Sequence, residues 1–184
     1  MHHLGTQPLR TERLLLRPFT VDDAHAMYCN WASDPLVTSF LTWPTHSDET
    51  VTRAYLTQVA EGYAQPERYQ WGMQLLESGE LIGTIAVVGD TPATCSADIG
   101  YCMGRAWWGQ GLMAEALCAV RDFLFDHVGY LRLTAGHDVE NPRSGRVMEK
   151  AGMRKIGVVR RGGTNNRGVV DIVLYDMLPE DRRP

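Results

Sequence analysis

The segment Ala97–Ala116, ADIGYCMGRAWWGQGLMAEA, constrains this chain more than any other. Ala97 to Met103 reads as a strand, and Gly111 to Phe125, with apolar residues at 113, 116, 117, 120 and 124, reads as an amphipathic helix. Gly109 and Gly111 stand between them. Glycines remove the Cβ atoms that would block a ligand, and a helix start presents unpaired N–H groups with a partial positive charge. Such a turn suits a phosphate or pyrophosphate. Three readings compete. A nucleotide P-loop needs Gly-Lys-Ser/Thr at the helix start, where this chain has Gly-Gln-Gly-Leu. A dinucleotide fold wants GxGxxG soon after a first strand, whereas this loop lies past the midpoint. The third reading is a plain glycine turn ahead of a core helix.

The other elements arrange themselves around this unit. Leu14, Leu15, Leu16 and Phe19, interrupted by Pro18, predict a strand near an edge. Asp22 and Asp23 open a helix carrying Ala24, Met27, Tyr28 and Trp31, which Ser33-Asp34-Pro35 stops. Ser47-Asp48-Glu49 caps a second helix ending near Gly62. Strands over 70–77 and 81–88 meet at the hairpin signal Ser78-Gly79-Glu80. A further strand is expected over 130–135. Asn141-Pro142 then starts a helix that ends at Gly152. Strands over 153–160 and 169–176 flank the glycine-rich segment Gly162–Gly168, which reads as a mobile hairpin loop able to cover an acceptor or as a plain flexible turn. The order β-α-α-β-β-β-α-β-α-β-β predicts one mixed α/β domain spanning 1–184.

Composition narrows the function classes. With 184 residues, 44% of them hydrophobic, the chain suits one domain with an ample core. No apolar run nears the roughly 20 residues of a membrane helix, and the N-terminus lacks a signal-peptide layout, so the expected address is cytoplasmic with no membrane partner. Cys29, Cys95, Cys102 and Cys118 form no CxxC pair and read as buried thiols. The six histidines lack ligand spacing, so no metal is expected. A formal net charge of -4 argues against a nucleic-acid partner.

Around the glycine loop the sequence resembles the GNAT superfamily of acetyl-CoA-dependent N-acetyltransferases. The family's pyrophosphate loop, R/Q-x-x-G-x-G/A, is matched by Ala106-Trp107-Trp108-Gly109-Gln110-Gly111, departing at Ala106, where Arg or Gln is usual. The likeness is closer to the Rim-type branch, which acetylates ribosomal-protein N-termini, and its small-molecule-modifying relatives. Thr11-Glu12-Arg13-Leu14-Leu15-Leu16-Arg17-Pro18 is similar to that branch's opening strand. Asp34-Pro35, Trp43-Pro44 and Ala97-Asp98-Ile99-Gly100-Tyr101 follow its order, as do Asn141-Pro142-Arg143-Ser144 and Glu149-Lys150-Ala151-Gly152-Met153. The resemblance implies a GNAT fold, a mostly antiparallel twisted sheet of about seven strands with about four helices.

It also implies roles. Trp108, Gly109, Gln110, Gly111, Leu112, Met113 and Ala114 would hold the pyrophosphate of acetyl-CoA by main-chain amides. Tyr101, Cys102 and Met103 would lie along the pantetheine arm, their backbone bonding it like an added strand. Asn141 reads both as helix cap and as a ligand of the arm. Ser144 would protonate the leaving thiolate, since no Tyr occurs between Asn141 and Gly152. Asp98 matches an acidic position that serves as base in some members, with Glu67 and His46 as alternatives. The reaction implied is acetyl transfer to a primary amine, a protein N-terminal α-amine or, as the alternative, a small-molecule amine. A non-catalytic acyl-CoA-binding module is a different class that stays open, and a homodimer is the assembly considered.

Overall fold

The structure, a computed structural model describing residues 1–182, places eight strands in one sheet. They are β1 (Leu9–Arg10), β2 (Leu14–Arg17), β3 (Gln70–Leu75), β4 (Leu81–Thr91), β5 (Ser96–Met103), β6 (Arg132–Asp138), β7 (Arg154–Asn165) and β8 (Gly168–Met177). The order across the sheet is β1-β2-β3-β4-β5-β6-β8-β7. Every neighbouring pair is antiparallel except β5–β6. The two-residue β1, which no alternation in the sequence marks, adds one strand to the expected number.

Five α-helices cover the sheet: α1 (Ala24–Met27), α2 (Pro35–Thr38), α3 (Glu49–Gly62), α4 (Leu112–Phe123) and α5 (Pro142–Lys150). The extra helix is α2. Asp34-Pro35 ends the first helical stretch but also starts a new turn, because the Asp34 carboxylate accepts from the Leu36 N–H at 2.9 Å with Pro35 in the first turn. Between them, Tyr28–Ala32 widens into a π-type turn. At α3 the expected cap holds, with Asp48 accepting from the N–H groups of Thr50 and Val51.

Two apolar clusters pack on the sheet. The larger joins Leu112, Met113, Ala116, Leu117, Val120 and Phe123 of α4 with Met148 of α5, Ala97 and Ile99 of β5 and Leu133 of β6. Burying each of the Leu, Ile, Val, Met and Phe side chains among them stabilises by about 1.5–3 kcal/mol. The smaller gathers Ala24, Met27, Trp31, Leu56 and Val59 from the α1–α3 region with Leu81 and Cys102. Strand alternation divides them: Ala97, Ile99 and Met103 turn to the α4 side and Cys102 to the other.

Two expectations are corrected. Of the four cysteines only Cys102 is buried; Cys29 is exposed and Cys95 and Cys118 are half-buried. The glycine-rich segment expected as a mobile loop is mostly strand, because β7 and β8 extend to a two-residue turn at Asn166–Arg167. The extra residues are absorbed where the β7–β8 register shifts between Val159 and Gly163. Among the described residues no helix is long and apolar enough to cross a membrane, and no cluster of His, Cys, Asp or Glu could hold a metal.

Candidate active site

The parallel pair β5–β6 is in register only over Ser96↔Arg132, Ala97↔Leu133 and Asp98↔Thr134. Beyond Asp98, β5 runs on to Met103 and β6 to Asp138 without pairing, so the sheet opens between them. One end of this opening leads to the start of α4. The other is closed by Asp98, whose carboxylate accepts from the Thr134 hydroxyl at 3.0 Å.

Which backbone groups face the opening follows from ladder geometry. Gly104 N–H bonds Ile82 O at 2.9 Å, and in an antiparallel ladder bonded pairs alternate, so Thr84–Cys102 and Ala86–Gly100 are the bonded pairs. Tyr101 and Met103 therefore present their backbone groups away from β4, into the opening. Cys102 presents its own to β4 and buries its thiol, which burial pushes up to about 12. That sets Cys102 apart from Tyr101 and Met103. The Met103 carbonyl already has a partner, accepting from the Trp108 indole N–H at 2.7 Å. Trp108 is held further by the Arg143 guanidinium, 5.3 Å from its ring centre, which ties the loop to the start of α5.

At the head of α4 both loop glycines have left-handed backbone, φ 81° at Gly109 and φ 80° at Gly111, a conformation costly for residues with a Cβ. A Cβ built on Gly109 would meet no atom within 4 Å, so space is open above the turn. Gly111 is the cap and no side chain caps the helix; the Glu115 N–H bonding Gly111 O closes its first turn. The amides of Leu112, Met113 and Ala114 thus precede the helical ladder, while their side chains are buried in the core. Gln110 folds its side-chain amide back onto the Ala106 carbonyl at 3.1 Å. These main-chain donors, with the open space above Gly109, fit an anion such as a coenzyme pyrophosphate.

The start of α5 stands opposite Tyr101. The Ser144 hydroxyl donates to the Tyr101 hydroxyl at 3.0 Å, and Tyr101 donates to the Ser144 carbonyl at 2.9 Å. Burial drives the Tyr101 phenol far above its ordinary value, so it stays protonated. The helix α5 itself offers no tyrosine, yet one reaches Ser144 from β5. The signal for it is the alternation that puts Tyr101 on the same face as Ala97 and Ile99. Asn141 does not cap α5 through its side chain; its carbonyl accepts from the Ser144 N–H at 3.1 Å, leaving the side-chain amide without a capping role.

The candidate bases separate. The surrounding protein pushes the Asp98 carboxyl above the usual range, against the opposing pull of Thr134. His46 is buried, its Nδ1 2.7 Å from the Thr52 hydroxyl and its ring 5.1 Å from that of Trp43, and burial lowers its pKa. Glu67 lies in the exposed turn that enters β3, two strands away from β5.

The tip of the β7–β8 hairpin is held by tertiary contacts. The Asn166 side chain donates to the carbonyls of Thr38 and Trp43, at 2.8 and 2.7 Å, and its backbone N–H donates to Leu41 O. Asn165 donates to the buried Asp138 carboxylate at 2.8 Å, which also pairs with Arg167. The β7–β8 tip is thereby pinned to the end of β6 and to the loop after α2.

The family model of the acetyltransferase (GNAT) domain matches residues 13–154. The uncharacterized N-acetyltransferase p20 of Bacillus licheniformis is 26% identical over 95% of this chain and 98% of its own length. The [ribosomal protein uS5]-alanine N-acetyltransferase of Escherichia coli K12 is 29% identical over 59% of this chain and 56% of its own. A crystal structure of a GNAT-family acetyltransferase from Bacillus anthracis superposes with a TM-score of 0.83 and 25% identity, covering 95% of this chain and 99% of that one. A sheet that opens between two parallel strands onto a glycine-turned helix start, together with these matches, establishes that the chain belongs to the GNAT acetyltransferase family and is an acetyl-CoA-dependent N-acetyltransferase.

Proposed function

We propose that this enzyme acetylates a protein N-terminal α-amine. The single observation carrying the placement of the donor is the β5–β6 opening that ends on the Gly109–Gly111 turn. Acetyl-CoA supplies the acetyl group as a thioester. The main-chain amides from Gly109 to Ala114 hold its pyrophosphate beside Trp108, the backbone edges of Tyr101 and Met103 line its arm, and the Asn141 amide bonds it. A backbone N–H on the open edge of β5 faces the developing negative charge on the carbonyl oxygen. Ser144 turns its hydroxyl from Tyr101 to the sulfur and gives it a proton as the C–S bond breaks, regaining one from solvent, to which Asp98 releases the proton taken from the amine. Asp98 takes the amine's proton through water, and its raised pKa makes it a stronger base than an ordinary aspartate.

Two things support an α-amine as acceptor. Its pKa, about 7.7–8.0, leaves an appreciable neutral fraction at physiological pH, whereas lysine near 10.4 would need far more help than one distant carboxylate supplies. The enzyme named for the alanine of ribosomal protein uS5 is 29% identical over 59% of this chain. A panel of peptides with free N-termini, N-terminally blocked peptides containing lysine, and small amines tests the proposal by thiol release. Acetylation confined to free N-termini is expected. Robust modification of internal lysine in blocked peptides, or turnover of small amines alone, overturns it.

A further inference from the structure

Glu115 poses an electrostatic problem. It places a carboxylate in the first turn of α4, beside amides that must receive a pyrophosphate. Like charges at such distances repel, and an unpaired carboxylate there would weaken any anion site. The structure answers with Arg13, 102 residues away in sequence. Its Nε donates to Glu115 Oε2 at 2.7 Å, its Nη2 lies 2.6 Å from the same oxygen, and its backbone N–H donates to Oε1 at 2.9 Å. Thr11 adds a hydroxyl donor to Oε1 at 2.6 Å. Burial opposes ionisation of Glu115, but these bonds prevail and hold its carboxyl below the usual range.

The same guanidinium does a second thing. Its Nη1 donates to the Gln110 carbonyl at 3.0 Å. In a trans peptide the N–H points opposite to the carbonyl, and this chain has no cis bond among the described residues. Anchoring the Gln110 oxygen on Arg13 therefore turns the Gly111 N–H away from Arg13. Arg13 also sits where a side chain on Gly111 would reach, its Nη2 3.6 Å from a Cβ built there.

We propose that Arg13 is a positioning residue for the coenzyme: it neutralises Glu115 and fixes the Gln110–Gly111 peptide, so that the head of α4 accepts the pyrophosphate. This rests on the donor placement proposed above. The test measures coenzyme A binding by calorimetry, and kcat/KM with acetyl-CoA and with S-acetylpantetheine, a donor lacking the pyrophosphate. Arg13→Ala should raise the coenzyme A Kd by about tenfold or more, the scale of exposing one partly buried like charge. It should leave kcat/KM with S-acetylpantetheine near the wild-type value. Arg13→Lys, which keeps the charge near Glu115 but lacks the fork that also reaches Gln110, should lose less. Adding Glu115→Gln to Arg13→Ala should restore part of the affinity. An unchanged coenzyme A Kd in folded Arg13→Ala and Arg13→Lys proteins overturns the proposal, as does an equal loss with both donors. If wild-type protein binds coenzyme A no more tightly than pantetheine, the pyrophosphate placement itself is wrong and this proposal goes with it.

Discussion

The head of α4 and the tip of the β7–β8 hairpin are assembled differently. The first is a run of consecutive residues, Trp108 to Ala114, whose donors are main-chain amides set by two left-handed glycines. The second depends on side chains meeting across more than 120 residues, Asn166 on the Thr38 and Trp43 carbonyls. A main-chain cradle can be read from a short motif, because few side chains other than glycine's permit it. A side-chain roof cannot, because Asn166 in another setting would be an ordinary turn residue.

The contrast can be broken at its strongest point first. Gly111→Val would place a β-branched side chain at φ 80°, strained there and facing the Arg13 guanidinium that anchors the turn. It should abolish measurable coenzyme A binding by calorimetry, while circular dichroism shows the fold retained; unchanged affinity in a folded variant would remove the cradle from the donor site. Ser144→Ala probes the joint between the halves. General acid help is typically worth about 10²–10⁴-fold, and a thiolate leaves readily, so kcat should fall by about 10² with little change in acetyl-CoA Kd. A drop in affinity with kcat maintained would make Ser144 a binding residue only. The smallest effect is expected at the hairpin tip. Asn166→Ala deletes two side-chain hydrogen bonds, each worth about 0.5–1.5 kcal/mol net, and should lower the melting temperature by a few degrees. It should also raise the peptide KM while leaving coenzyme A affinity untouched. Equal losses for both ligands would mean that the two regions are not separate devices.

Much of the candidate donor half is legible in the amino-acid order. The strand–glycine–helix unit at Ala97–Phe123, the N-cap at Asp48 and the hairpin at Ser78–Glu80 all stand close to where local chemistry places them. Less legible are features with no local signature. Two residues of β1 carry no periodicity, and α2 hides inside a motif that also ends a helix. The glycines near Gly163 look like loop but occupy a bulge in a long strand, since glycine is compatible with both.

By itself the sequence determined the order of elements, the glycine turn that can bear an anion, and the family to which these motifs belong. Those properties reside in backbone preference and apolar spacing, which act over a few residues. Tertiary structure alone decided that β5 and β6 part after Asp98, that Cys102 faces β4 while Tyr101 and Met103 face the opening, and that the Tyr101 hydroxyl meets Ser144. It alone brought Arg13 to Glu115 and Gln110. Each of these contacts depends on strand register and sheet order, which fix distances between residues many tens of positions apart and leave no trace in local composition.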